Sequence, residues 1–475
     1  MSKTTIHLFL PVILIMMTMS CFAQSNTATG AVDTYRLDNI ILLGNRKTKP
    51  EIILRELDYQ QGQKVSVSVL RTQLKLMEDK LMNTSLFISV KIDLVTDSSR
   101  QSMDMIVRMK ERWYTWPLPI FSLADRNIND WVENHNADFS RLNYGIQFRQ
   151  SNIRGRNEEL GVLAQFGYTR RFGIYYKIPY LNKKQNFGSK LKFNYRMNQN
   201  LAVKTIDHKR VFLDAQQPAW ESYDADWMFF LRKGFYVRHE FGLRFNHEWV
   251  ADTVIQENPN YYKNGARSQQ YFSLYYHLLI DHRDFQNYAT EGDLLEFSLK
   301  KMGIGTQNDV DVWQFLTRYS KYWKLPHQFY FSTLASVSLS SPRAIPAYTL
   351  MNGLGFRPFD IRGYELNVIE GQHYFLNKWD FKKQVFSGNY SFYPITKKNQ
   401  FNGLPFAVYL KVFGDYGYVQ NYPNYPQNIA LTDKMIYSFG SGMDIAGSYD
   451  FVFRLEVSYN SMRQTHFGFS FLSAI

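Results

Sequence analysis

From Trp113 onward, apolar and polar residues alternate in short segments separated by turn-like stretches. Lys190-Leu191-Lys192-Phe193-Asn194-Tyr195-Arg196 alternates without a fault. Val408, Leu410, Val412 and Tyr416 fall on one face of a strand whose other face holds Lys411 and Asp415. At the end of the chain Phe467, Phe469, Phe471 and Ile475 share a face opposite His466, Gly468 and Ser470. A period of two sends successive side chains to opposite faces of a sheet. Each segment therefore reads as a strand with one greasy and one wet face. A soluble β-sandwich is the plain alternative, but residues 112–475 hold more strand than one sandwich core accommodates. A transmembrane antiparallel β-barrel uses both faces, and lipid tolerates only closed sheets. At about ten residues per strand, with turns and longer loops, about 16 strands fit.

Residues 35–111 follow a different pattern, that of one compact α+β unit. Tyr35 to Leu43 is a strand ended by the turn pair Gly44-Asn45. Thr48 is placed to cap a helix, with Pro50 at an early helical position and Glu51 in the first turn. A second helix is expected from about Ser66 to Asn83, where Val69, Leu70, Leu74, Leu76, Met77 and Leu81 stand near helical spacing. Phe87 to Leu94 and Met103 to Met109 alternate across the polar turn Asp97-Ser98-Ser99-Arg100 and read as a strand pair. The expected order is strand, helix, helix, strand, strand.

Lys3 and the apolar run His7 to Met19, followed by Cys21-Phe22-Ala23, make residues 1–23 an export signal cleaved after Ala23. The run is too short to span a bilayer comfortably. A lipoprotein headed by Cys21 is the alternative, but Thr18-Met19-Ser20 lacks the expected Leu. Residues 24–34 then form a polar tether. On this cut the single cysteine leaves with the signal, which excludes a disulfide scaffold and thiolate chemistry.

Aromatic residues are 17% of the chain while the mean hydropathy is −0.36, which fits lipid-facing rings alternating with polar lumen residues. The net charge of +13 is spread along alternating segments rather than gathered in a stripe. It points to a cationic lumen or to anionic headgroups, with no nucleic-acid partner. No nucleophile elbow, zinc-binding helix motif or phosphate loop is present. The expectation is a chain that is not an enzyme and carries no cofactor or metal; a Ser/His pair in the barrel wall is the residual enzymatic reading.

Several motifs carry a family resemblance. The N-terminal unit resembles a POTRA domain, through its element order, Gly44-Asn45, Thr48, Arg55-Glu56-Leu57 and Gly62. The rest is similar to barrels of the BamA/TamA-like outer-membrane superfamily, which includes two-partner-secretion translocators. Ile361-Arg362-Gly363-Tyr364 resembles that superfamily's Val-Arg-Gly-Phe/Tyr loop motif. Gly371-Gln372-His373-Tyr374, Trp379-Asp380-Phe381-Lys382 and Val412-Phe413-Gly414-Asp415-Tyr416-Gly417 follow in the family's order, and Asp281-His282-Arg283-Asp284 with Gly292 resembles an earlier hairpin mark. The resemblance implies that the Arg362 loop folds back into the lumen against inward carboxylates. Alternation points Asp380, between Trp379 and Phe381, and Asp415, between Gly414 and Tyr416, inward. A guanidinium fork can bridge two carboxylates, which Lys does less well.

The implied function is assembly or insertion of outer-membrane proteins, or translocation of polypeptides. Clients in unfolded or extended form would be recruited by the POTRA-like domain in the periplasm. Outer-membrane lipid is the expected surrounding, with accessory periplasmic proteins as further candidate partners. A passive or solute-specific pore is the alternative. A seam is expected between the first barrel strand, about Trp113 to Phe121, and the last, about His466 to Ile475 with Phe467, Phe469 and Phe471. Pro117 and Pro119, two residues apart, remove donors from the same edge of the first strand; the alternative is that they merely end the linker before the barrel starts.

Overall fold

The computed structural model describes residues 34–123, 131–132, 136–215, 217–304, 310–355, 360–391, 402–449 and 451–473. The expected export signal and most of the tether lie outside these residues, as does Ile475. The alternation of Tyr35 to Leu43 produces strand β1 (Thr34–Leu43). A helix Pro50–Leu54 follows, with Pro50 at its start and Glu51 in its first turn. Thr48 does not cap it. The N-cap position is Lys49, without a side-chain bond, while the Thr48 hydroxyl donates to Glu111 Oε1 at 2.6 Å. Glu111 ends a neighbouring strand, and burial of Thr48 beneath Tyr114 and Asn152 turns its hydroxyl there.

A three-residue strand absent from the expected order comes next, β2 (Lys64–Ser66). It is too short for alternation to show. Ser66 then starts the helix Val67–Asn83, and β3 (Phe87–Asp97) and β4 (Ser102–Glu111) complete a four-stranded sheet in the order β2-β1-β4-β3. Leu70, Met77 and Leu81 pack on Leu37, Ile92, Met103, Met105 and Val107. Each buried side chain of this size stabilises the unit by about 1.5–3 kcal/mol. Val69 and Leu76, on the helix's other side, are exposed.

The remaining strands begin with β5 (Thr115–Leu123), β6 (Leu142–Ile153), β7 (Glu158–Gly167), β8 (Thr169–Ile178) and β9 (Phe187–Asn198). A separate hairpin of β10 (Asn200–Ile206) and β11 (Lys209–Asp214) interrupts them. The series resumes with β12 (Trp220–Lys233), β13 (Val237–Val250), β14 (Ser268–Asp281), β15 (Gly292–Ile304), β16 (Val312–Leu325) and β17 (Phe329–Ser341). A two-residue ribbon, β18 (Gly353–Leu354) with β19 (Ile369–Glu370), sits in the long connection that follows. The last strands are β20 (His373–Tyr390), β21 (Leu404–Gln420), β22 (Met435–Gly447), β23 (Phe451–Asn460) and β24 (Thr465–Ser473). Apart from the hairpin and the ribbon, β5 to β24 form one 16-stranded antiparallel sheet in chain order. Among the described residues no backbone pairing joins its two ends, β5 and β24.

The two faces differ as alternation requires. Phe193, Tyr223, Trp227, Leu410, Val412 and Phe469 project from the convex face and are exposed, while Asn194, Ser222, Asp224, Lys411, Asp415 and His466 are buried on the concave face, here the lumen. The α+β unit sits across one end. Lys49 N–H donates to Gly155 O after β6, and Arg55 reaches Gln185 O after β8. Asn83 donates to the Arg283 and Asp284 carbonyls after β14, and Lys110 to Asn402 O before β21. One small unit thus touches connections from β6–β7 to β20–β21, so the sheet curls round it. A fully buried carboxylate holds the contact: Glu56 receives both nitrogens of the Arg232 fork, at 2.6 and 2.8 Å.

Candidate functional site

Ile361-Arg362-Gly363-Tyr364 lies in the connection between β18 and β19, and the structure places it inside the lumen. Arg362 is 8% exposed. Its backbone N–H and Nε donate to Asp415 Oδ2 at 3.0 and 2.9 Å, and its Nη2 donates to Asp415 Oδ1 at 2.5 Å. Nη1 donates to Asp380 Oδ1 at 2.6 Å, and the guanidinium lies 3.8 Å from the centre of the Phe413 ring. Asp380 and Asp415 stand on β20 and β21, and their outward neighbours Trp379, Phe381 and Tyr416 are exposed. Charge-assisted, forked bonds of this kind fix direction as well as charge.

The neighbouring residues shape the turn to fit. Gly363 has φ +82°, and a Cβ there would meet Ser458 Oγ at 3.2 Å and Ser438 Cβ at 3.3 Å. Asn460 Nδ2 donates to Gly363 O at 2.6 Å. The Tyr364 hydroxyl pairs with Ser461 Oγ at 2.5 Å. Ile361 is buried with Leu354, Leu376, Val419 and Ile436. Gly417 belongs to the same fit, since a Cβ there would meet Ile361 Cδ1 at 2.6 Å.

Sequence reasoning missed the larger part of the charge network. Glu456 on β23 stands 3.5 Å from Arg362 Nη1, and Lys411 on β21 bridges Glu456 at 2.6 Å and Asp444 at 2.7 Å. Lys378 and Lys382 add contacts to Asp415 and Asp380 at 3.7 and 3.8 Å, and Arg454 lies 3.8 Å from Asp444. Tyr288, from the turn between β14 and β15, donates to Asp444 Oδ2 at 3.0 Å. The signal for Glu456 was available: it alternates inward between Leu455 and Val457, both exposed. Nothing local marks Tyr288, which arrives from a turn. In that turn Arg283 clasps Asp281 through two bonds of 2.7 Å. Gly292, φ +101°, passes so near His282 O that a Cβ would lie 2.2 Å from it.

The far end of the lumen is covered by the β10–β11 hairpin. Its tip residue His208 is buried; Nε2 accepts from the Leu431 N–H at 2.9 Å, so Nδ1 carries the proton and donates to Val368 O at 3.3 Å. Thr205 Oγ1 donates to Glu370 Oε1 at 2.6 Å, which ties the hairpin to the ribbon.

At the sheet's ends, Pro117 and Pro119 lie within β5 opposite Phe148 and Ile146 of β6. The Tyr114 carbonyl accepts from the Ser151 N–H at 2.8 Å, so that pair faces inward across the ladder. Bonded and non-bonded pairs alternate in an antiparallel ladder. Residues 117 and 119 therefore fall on the non-bonded pairs, and their nitrogens point to the free edge. Phe467 and Phe469 project from the convex face of β24 at the other free edge, and Phe471 pairs opposite Phe453 in the register of β23. The structure thus brings Arg362, Asp380 and Asp415 together, and leaves the two proline and phenylalanine strands unpaired with each other among the described residues.

Among solved structures, the chain is similar to BamA from Haemophilus ducreyi lacking POTRA domains 1–3, with a TM-score of 0.51, 17% identity, and coverage of 92% of this chain and 84% of that one. It is also similar to CdiB from Acinetobacter baumannii (TM-score 0.49, 12% identity, 92% and 74% covered). For CdiB from Escherichia coli the TM-score is 0.49, with 10% identity and 95% and 92% covered. No curated protein matches the chain significantly. The profile of the Omp85 superfamily domain matches residues 152–472. With well over half its length so matched, the chain belongs to the Omp85 superfamily, whose members are outer-membrane β-barrels that act as transporters or insertases and not as enzymes.

Proposed function

We propose that this chain inserts client polypeptides into the outer membrane, after collecting them on its N-terminal α+β unit, a POTRA-like domain of residues 35–111 facing the periplasm. In this reading residues 112–475 close into a cylinder with β5 against β24. The observation that carries it is the orientation of Pro117 and Pro119 on the free edge of β5. Each proline lacks the N–H that a ladder to β24 would use, and each missing bond forfeits about 0.5–1.5 kcal/mol, more in lipid. Closure there is weak and reopens sideways, which is what releasing a strand into the bilayer demands. β3, an edge of the small sheet, supplies an extended peptide with unpaired backbone groups, and strand addition of this kind asks for no single sequence.

Export through the lumen is the less favoured route, because the Arg362 loop occupies the interior and the α+β unit covers one mouth. A passive pore has no use for that unit. The test is a cysteine scan that locks β5 to β24 by a disulfide. Loss of client insertion on oxidation, restored by reductant, is expected; an unchanged insertion rate in the locked protein overturns the proposal. Deleting residues 35–111 is expected to leave a barrel that inserts but no longer processes clients.

A further inference from the structure

The wall formed by β8 and β9 carries cations that the Arg362 network does not use. Lys190, Lys192 and Arg196 share the lumen face of β9, and Arg171 and Lys177 that of β8. The register sets like charges directly opposite one another: Lys177 faces Lys190, and Arg171 faces Arg196. Like charges in cross-strand positions destabilise a sheet. Among the described residues, none of Arg171, Lys177, Lys190 and Lys192 has a carboxylate within 4 Å, and Arg171 Nε is buried without a hydrogen-bond partner.

The carboxylates nearby are already committed. Glu159 accepts from the Tyr175 hydroxyl at 2.6 Å and Ser151 at 3.2 Å. Asp224 accepts from Asn194 at 2.7 Å and Arg196 at 3.2 Å, and Asp226 from Tyr275 and Arg244 at 2.7 Å. Glu240 pairs with Arg238 at 2.8 Å and His277 at 3.1 Å. At the foot of this wall a cavity of about 930 Å³ opens between the α+β unit and the sheet, with Lys177, Lys190, Arg55 and Phe230 in its lining.

We infer that the β8–β9 wall is a binding site for an extended acidic stretch of polypeptide, entering from this cavity. The inference rests on the proposed handling of client polypeptides and names the client's chemistry. Residues two apart on a strand repeat at about 6.6–6.8 Å, for the wall and for an extended guest alike. Carboxylates at alternate guest positions therefore meet Lys190 and Lys192 in register. Tyr175, whose ring lies 4.5 Å from Lys190 Nζ, and Phe230 offer apolar surface to the residues between.

The test uses the full-length protein in detergent micelles and fluorescent peptides of alternating Glu and Thr, compared with a block peptide of equal charge, a Lys/Thr peptide and inorganic polyphosphate. The alternating acidic peptide is expected to bind best, with affinity falling about tenfold as salt shortens the screening length to a few ångströms. The Lys190→Gln/Lys192→Gln double variant is expected to lose about tenfold in affinity while keeping its unfolding temperature, since relief of the Lys177–Lys190 repulsion offsets loss of the attraction between Lys192 and Asp226, its register partner on β12. A purely structural role predicts lower stability instead. Unchanged binding by the folded double variant, equal binding of the block peptide, or preference for polyphosphate overturns the inference. Client assembly in cells separates the two readings. Acidic-peptide binding with assembly unaffected by deletion of 35–111 removes the recruiting function and keeps the site. Normal assembly by the double variant, with peptide binding lost, overturns the acidic stretch as the client feature and leaves recruitment standing.

Discussion

Two walls of one lumen handle charge in opposite ways. Against β20 to β23, Arg362 of the inserted loop and the strand residues Lys378, Lys382, Lys411 and Arg454 meet Asp380, Asp415, Asp444 and Glu456, and nearly every contact closes on a carboxylate. On β8 and β9 four cations stand without one within 4 Å among the described residues. Both walls are built by the same alternation, yet one uses its charge internally and the other keeps it for something else. A buried charge that is paired holds a loop in place; an unpaired one raises the local potential and awaits an anion.

The largest expected effect falls on the paired wall. Arg362→Ala strands Asp380 and Asp415 in a site built for a cation, at a cost of about 3–5 kcal/mol. Heat-modifiable electrophoretic mobility should show unfolding at clearly lower temperature, and client handling should fall with it. Retention of wild-type stability would mean that the network is solvated and that the two walls do not differ.

Gly363→Ala tests the backbone of the same loop. The left-handed conformation and the approach to Ser458 and Ser438 should together cost about 1–3 kcal/mol, less than loss of the guanidinium. The check is a denaturant midpoint lying between those of wild type and Arg362→Ala.

Acidification should loosen the far-end cover without touching either wall. Burial holds the His208 imidazole below its ordinary value of 6.5, against the opposing pull of the Val368 carbonyl and Asp207, and Lys434 adds to the depression. Because the folded state binds the proton less readily than the unfolded one, stability rises with pH through this window. It is fully present above 6.5 and is lost as pH falls toward the depressed folded value, by at most about 1.4 kcal/mol per unit. Protonated Nε2 can no longer accept from Leu431, so proteolysis of the β10–β11 hairpin should quicken below pH 6.5, and His208→Gln should flatten that dependence.

The smallest effect has the opposite sign. Lys177→Gln removes one member of a facing like-charge pair and should stabilise the barrel by roughly 0.2–1 kcal/mol. A destabilised variant would show that Lys177 has a hidden structural partner, and the contrast between the walls would narrow.

Much of this was legible beforehand for a simple reason. Alternation is a one-dimensional signal, and it places every strand residue on a face as soon as the strand is recognised. It put Asp380 and Asp415 on the lumen side and Phe467 and Phe469 on the outer one, and the count of about 16 strands follows from segment length. The same rule, applied to Leu455-Glu456-Val457, would have found Glu456. It fails for β2, whose three residues hold less than two periods, and for Thr48, whose hydroxyl is claimed by Glu111 from a strand far along the chain.

What the sequence alone determined is thus the strands, their two faces and the motif residues at their ends, because each depends on neighbours one or two positions away. Only the tertiary structure decided which charges meet. Lys411 finds Asp444 and Glu456, Tyr288 reaches Asp444 from a turn, and Glu56 is clasped by Arg232 across the two units. Lys190 faces Lys177 instead of a carboxylate for the same reason: register between strands, and the curl of the whole sheet, set partners that no local spacing encodes.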